Sequence, residues 1–473
     1  MNNQNQTKRA GRLTRWTSHW AFMLAAIGSS IGLGNIWKFP YEMGQHGGGT
    51  FLLVYIPCVL LVAFPLMMAE FMLGRSGRSN PVHSLIAIAK NQKKSKVWQV
   101  IGWLGILTSF LIFSYYSVVA SWILFYIMKS ISGSFIDVPA EVVQNSFGAL
   151  LQNSDQMLIW HSVFVLMVVT VLARAVRRGL ERAVRWLMPC FIGLLIWMCV
   201  LAGQIGDFER AVNFMLSYDL DSITPELIVT ALTQALFSLS IGIGVLIMYG
   251  AYLSDGRPLF SGSAVILLSD TAVALAMGFV VFSIVFAFGM QVDSGPGLVF
   301  QTLPVAFSQM TNDNLLLSTA FFALLLVAAL TSAFAILEPS IVWMTDQFSG
   351  ISRRVAAWIV GAFAWGAGCL SVYSFNGSNS DFSFAFYYFD SLKVNGYFDL
   401  FDVLTTQILM PFTALLVAIF AGWRFSQIKA KESLAIRMNL IYYIWLFCIR
   451  IIAPLIICIS LVIVMYYNYR AVL

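Results

Sequence analysis

Charge is scarce in this chain. Only 11% of its 473 residues are Asp, Glu, Lys or Arg, while 59% are hydrophobic; soluble domains carry roughly a quarter charged residues. A water-soluble fold of this length could not hide so much apolar surface, and with a mean hydropathy of +0.81 the solvent is a bilayer. Histidine is scarcer still. His19, His46, His83 and His161 are scattered over loops and the ends of apolar runs without metal-ligand spacing, which argues against a membrane metalloenzyme. The cysteines (Cys58, Cys190, Cys199, Cys369, Cys448 and Cys458) lie in or beside apolar runs and form no CxxC pair. They read as small packing residues, with no disulfide framework and no zinc site. The net charge of +6 does not imply nucleic acid, because the basic residues fall in loops between apolar runs. The first apolar run lacks a small-residue cleavage site, so it is expected to be retained as a helix rather than removed as a signal peptide.

What the chain has in abundance is apolar runs of the length a membrane requires, about 20 residues. They fall near 19–40, 49–73, 97–129, 157–173, 183–205, 227–253, 262–289, 315–345, 355–373, 399–423 and 439–467. About eleven helices in an all-α, polytopic membrane protein are therefore expected. The basic residues set the orientation. Alternate loops hold Arg9 to Arg15, Arg75 to Lys96, Arg174 to Arg185, Arg353 with Arg354, and Arg424 to Arg437. The opposite loops hold few bases beside Asp137, Glu141, Asp155, Asp207, Asp219, Asp221, Asp293 and Asp381. This places the N-terminus in the cytoplasm and, with an odd count, the C-terminus outside. The apolar stretch 297–304 is too short to cross and is expected to pack as a lid on the outer face.

Two spans contain their own interruptions. The first carries Gly28-Ser29-Ser30-Ile31-Gly32-Leu33-Gly34-Asn35, the sixth Phe237-Ser238-Leu239-Ser240-Ile241-Gly242-Ile243-Gly244. Either one alone fits close helix packing through small residues. Together they occupy the same place in two five-helix halves, the mark of a transporter built from inverted repeats with a site at the midplane. Unwound backbone there presents N–H groups to a carboxylate and bare carbonyls to a hard cation. The expected organisation is a cytoplasmic segment 1–18, repeats over 19–210 and 227–423, and an eleventh helix with a short external end at 439–473.

The residues that carry these features also resemble a family. Gly34-Asn35-Ile36-Trp37-Lys38-Phe39-Pro40, Gly47-Gly48-Gly49-Thr50-Phe51, Phe64-Pro65-Leu66 leading to Glu70 and Gly74-Arg75, Tyr115-Tyr116, Ser238-Leu239-Ser240-x-Gly242 and Leu330-Thr331-Ser332 are similar, in order over about 400 residues, to the neurotransmitter:sodium symporters. The resemblance implies the fold of the bacterial leucine transporter, with two inverted five-helix repeats. It implies two sodium sites. One would use Gly28, Ile31 and Ala328 carbonyls with the Thr331 and Ser332 hydroxyls. The other would use Ser30, Asn35, Ser238 and Asp270 with the substrate carboxylate. Asp270 stands where many relatives have asparagine, and Ala274 where the leucine transporter has a glutamate. A fixed negative charge beside the sodium implies no chloride requirement.

The resemblance further implies that the substrate carboxylate meets N–H groups near Leu33 and Gly34 and the Tyr116 hydroxyl, and that its ammonium meets carbonyls near Ser30, Phe237 and Ser240. Gly32 replaces the aspartate of monoamine carriers, so the ligand is expected to bring its own carboxylate. Ser29, Ile112, Phe237, Ile243, Ala333 and Ile336 would form an apolar side-chain pocket suited to a hydrophobic or aromatic amino acid. The outer gate would pair Lys38 with Asp399, with Asp402 as a rival, and the inner gate would involve Trp16, Arg12, Tyr252 and Asp346. Glu70 would brace the two broken helices, while Glu338 has no assigned role. The expected activity is sodium-coupled amino-acid symport by alternating access in a bacterial inner membrane, by a monomer or loose homodimer and not by an enzyme. A carrier of a small amino acid or osmolyte is the nearest alternative, and an ion channel or ligand-gated receptor the alternative of another class.

Overall fold

The computed structural model describes residues 18–135, 138–253, 258–292, 297–310, 314–375, 385–388, 392–436 and 438–470. Among them nine helices are long and apolar enough to cross a membrane: Gly49–Gly77, Lys96–Ile131, Ser154–Leu172, Leu180–Ile205, Leu259–Ala287, Leu315–Gln347, Arg353–Ser374, Gly396–Arg424 and Asn439–Tyr467. A tenth crossing is bent, with Trp20–Ser30 and Gly34–Gln45 meeting at 45°. In the place of the sixth expected span, two shorter helices, Pro225–Ser238 and Val245–Tyr252, flank non-helical residues 239–244. The eleven expected crossings are reached when that pair counts as one.

Proline shapes the crossings from within. A proline in a helix has no N–H to donate, and its ring collides with the carbonyl four residues back. Five π-helical stretches, Gly34–Lys38, Val59–Ala63, Leu298–Thr302, Leu404–Leu409 and Cys448–Ile452, each end two residues before a proline: Pro40, Pro65, Pro304, Pro411 and Pro454. The wider i→i+5 turn gives the ring room without ending the helix.

The third span, Lys96–Ile131, packs along the eighth, Asn314–Gln347, and the first half-helix leans on the fifth and eighth. The stretch expected to form a lid is the buried helical segment Leu298–Ser308. Its Phe300 ring meets Trp37, Trp122 and Phe147, with centroids 6.2, 5.5 and 5.4 Å away. Smaller helices at Pro81–Asn91, Ala140–Gln152, Phe208–Leu216 and Gln427–Leu434 lie between crossings; the loops gave no apolar run to announce them. The all-helical pattern is broken by one short antiparallel hairpin, Ala385–Tyr388 with Leu392–Asn395. His161, expected at a span end, is instead buried within Ser154–Leu172 and lies 2.9 Å from the Ser117 hydroxyl.

Candidate functional site

The two interruptions face each other. In the first span the helix stops at Ser30, and Ile31 turns to an extended backbone with ψ 97°. In the sixth it stops at Ser238, after which Ser240, Gly242 and Gly244 take φ of 56, 79 and 75°. Glycine enters that left-handed region at little steric cost, which is why the chain can reverse there at membrane depth. The loosened backbone is held by side chains from neighbouring elements, as buried peptide groups require. The Gly242 N–H donates to the Glu70 carboxylate at 2.7 Å, and the Gln234 amide donates to the Gly34 carbonyl at 2.7 Å. The Ser240 hydroxyl donates to the Ser29 carbonyl at 3.3 Å. Glu70 therefore braces the sixth-span break, as expected.

Between the breaks lies a small cavity lined by Ser30, Gly32, Gly34, Ile112, Tyr116, Phe237, Ser238, Ser240, Ile243, Ser332 and Ile336. Most of the expected substrate contacts thus surround one space. Ser29 and Leu33 adjoin it through their backbones, since the Ser29 carbonyl accepts from Ser240 and Ser332 and the Leu33 N–H points at the Tyr116 oxygen, 3.5 Å away. Ala333 does not line the cavity and is fully buried among the helices. Its neighbour Ser332 faces the break in its place, because successive helical positions point about 100° apart. At Gly32 an added Cβ would lie 2.7 Å from the Ser332 hydroxyl oxygen and 3.4 Å from the Tyr116 oxygen. No side chain fits there without displacing both.

Asp270 is fully buried, and each partner given for its carboxylate is neutral. The Asn35 amide nitrogen lies 2.9 Å from one carboxylate oxygen, and the Ser238 hydroxyl donates to the other. Ser30 stands beside this carboxylate, its hydroxyl donating to the Ile27 carbonyl at 3.0 Å. A carboxylate, an amide and two hydroxyls make an oxygen-rich set suited to a hard monovalent cation. Rotating the Asn35 amide by half a turn would present its oxygen to such an ion. Of the second expected sodium set, Gly28 is brought up to Thr331 of the eighth span. The Ser332 hydroxyl reaches the Ser29 carbonyl at 3.4 Å, and a Cβ on Gly28 would stand 3.4 Å from Thr331 Cβ. The Thr331 hydroxyl bonds back to the Ala328 carbonyl at 3.0 Å. Ile31 is the residue at which the first helix opens.

Of the residues expected at the outer gate, Lys38 lies 4.0 Å from Asp402, the rival acid one helical turn beyond Asp399. The Lys38 ammonium also stands over the Phe237 ring, 5.2 Å from its centre. On the inner side Tyr252 and Asp346 are each tied to a neighbouring element. Tyr252 donates to Glu338 at 3.0 Å, and Asp346 accepts from Asn80 at 2.6 Å. Glu338, unassigned from sequence, is fully buried and forked by Arg353 at 2.9 and 2.6 Å. Arg353 also donates to the carbonyls of Leu172 and Arg174, at 3.1 and 2.9 Å. The signal was present, a buried acid before Pro339 and an arginine at a helix start, but only folding brings them together. Trp16 and Arg12 lie outside the described residues.

Comparison with known proteins agrees with this fold. The model of the sodium:neurotransmitter symporter family matches residues 13–149 and 142–472. An uncharacterized sodium-dependent transporter of Bacillus subtilis, YhdH, is 34% identical over 447 residues, covering 93% of this chain and 95% of the relative. A sodium-dependent nutrient amino acid transporter of Drosophila grimshawi is 24% identical over 410 residues, covering 72% of this chain and 62% of the relative. A solved structure of MhsT in complex with L-phenylalanine superposes with a TM-score of 0.86 at 33% identity, covering 95% of this chain and 99% of the other. The chain belongs to the sodium:neurotransmitter symporter family and is a multi-pass, sodium-dependent membrane transporter.

Proposed function

We propose that the chain carries a hydrophobic amino acid, of medium size or aromatic, together with two sodium ions, without a chloride requirement. The observation that carries this reading is the Asp270 carboxylate, buried beside both helix breaks among neutral hydrogen-bond donors. A charge so placed is costly unless a cation joins it. Sodium between Asp270, Asn35, Ser30 and Ser238 would be completed by the substrate carboxylate, which links the two affinities. Asp270 supplies as a fixed charge what an added anion would otherwise supply. The second ion would sit between Gly28, Ile31, Ala328, Thr331 and Ser332.

The substrate class follows from the walls. Gly32 leaves no acid to hold a bare amine, so the ligand brings a carboxylate to the N–H groups near Leu33 and Gly34 and to Tyr116. Ile112, Phe237, Ile243 and Ile336 face the side chain and offer it no countercharge. The phenylalanine complex of MhsT supports the same class. The inward sodium gradient and the membrane potential, about 2.3 kcal/mol per charge per 100 mV, drive accumulation as the broken spans rock between two faces. The orientation proposed is a cytoplasmic N-terminus and an external C-terminus, in a bacterial inner membrane.

The test is purified protein in vesicles, with radiolabelled leucine competed by a panel of amino acids under a sodium gradient. Leucine, phenylalanine and tryptophan compete, while glycine, betaine and biogenic amines do not. Uptake saturates, vanishes without sodium and is unchanged when gluconate replaces chloride. Competition by glycine or betaine alone would favour an osmolyte carrier, and unsaturable sodium-independent flux would favour a channel.

A further inference from the structure

Arg450 stands inside the apolar crossing Asn439–Tyr467, where a charge is costly and needs a partner. Its surroundings are built around its stem and one edge only. The Nε–H donates to the Gly422 carbonyl at 2.7 Å, and the guanidinium lies over the Trp423 ring, 5.2 Å from its centre. Gly422 makes the room, since a Cβ there would come within 3.0 Å of Arg450 Cγ. A guanidinium has five N–H donors, and the four on Nη1 and Nη2 have no protein partner among the described residues. No carboxylate pairs with it there either.

The Arg450 side chain meets the tenth crossing close to that crossing's end. Gly422 lies two residues before the end of the crossing Gly396–Arg424. Trp423 is 61% exposed, and Phe447, Ile451 and Leu455 turn apolar surface outward beside Arg450. The loop that joins these two crossings carries Arg424, Lys429, Lys431 and Arg437 against a lone Glu432. An aromatic ring, a forked cation and flanking bases at an interface suit a phosphate with acyl chains below it.

We propose that the surface around Arg450, where the eleventh crossing meets the end of the tenth, binds an anionic phospholipid. Its phosphate is held bidentately by the Arg450 Nη groups, and its chains lie on the Phe447–Ile451–Leu455 face. A zwitterionic lipid meets the same arginine but carries an ammonium into a basic neighbourhood, so the site selects for net negative headgroups.

The test uses the full chain, delipidated in detergent and titrated with phosphatidylglycerol or phosphatidylcholine, read by native mass spectrometry and by thermal unfolding. Wild type retains one phosphatidylglycerol in preference to phosphatidylcholine and melts higher with it. Arg450→Gln lowers that occupancy roughly tenfold and loses the phosphatidylglycerol-specific rise, while Arg450→Lys keeps part of both. Inorganic phosphate at the same concentration gives no rise. Equal retention of the two lipids by wild type, which needs no variant to fold, overturns the proposal. So does an unchanged rise in Arg450→Gln, an equal rise with phosphate, or a dimer in phosphatidylcholine that Arg450→Gln dissolves.

Discussion

Asp270 and Glu338 are the same chemical group in the same solvent, and they are held in opposite ways. Both are fully buried in membrane-crossing helices. Glu338 is matched by a fixed cation, the fork of Arg353, with Tyr252 donating beside it. Among the described residues Asp270 receives the Asn35 amide and the Ser238 hydroxyl, with Ser30 beside it. A buried carboxylate must be neutralised. Where the protein supplies the cation, the pair is a fastener; where it supplies neutral donors, the proposed sodium takes that place and can come and go. Glu70 is a third type, with one oxygen spent on the Gly242 N–H.

The comparison can be broken at its strong end first. Arg353→Ala leaves Glu338 buried without its cation and should cost about 3–5 kcal/mol of stability, read as a drop in thermal unfolding. Arg353→Met with Glu338→Leu should recover much of it. If the single variant melts like wild type, the fastener reading fails. Asp270→Asn should leave folding near wild type but weaken sodium roughly 100-fold, the loss of a charged ligand. Uptake by that variant should also acquire a chloride requirement; indifference to chloride would remove the charge argument.

Weaker effects sharpen the contrast. Ser332→Ala should raise the sodium concentration for half-maximal uptake roughly tenfold, because it removes a single neutral hydroxyl. Glu70→Gln retains an acceptor for the Gly242 N–H and should change transport less than about threefold, whereas Glu70→Ala orphans that donor at about 1–3 kcal/mol. Asp402→Asn breaks a long, partly exposed pair with Lys38 and should shift the balance of outward and inward forms by about 1 kcal/mol at most, visible in accessibility labelling of the vestibule.

Sequence and structure agree where the signal is local. The apolar runs correspond to crossings within a few residues, because in a bilayer the backbone must satisfy itself within a helix. The glycines at 242 and 244 and the serines beside them marked the interruptions correctly. The misses are those of partner choice. Asp399 and Asp402 stand three residues apart on one helix, and which meets Lys38 depends on rotation about the axis. Ala333 and Ser332 were separated by the same kind of angle. The Glu338–Arg353 pair joins residues on either side of a helix end, and no periodicity reveals it. Arg450 went unremarked in the sequence, although it is a charge in an apolar run.

Composition and the order of apolar runs determined on their own that this chain lives in lipid, where its crossings fall and which two come apart. That follows because each is a property of a continuous stretch and its solvent. Which acid holds a permanent cation, which is met by neutral donors and which side chains line the cavity between the breaks were decided only when distant stretches met. Charge pairing acts over a few ångströms in space, and the chain does not record those distances along its length.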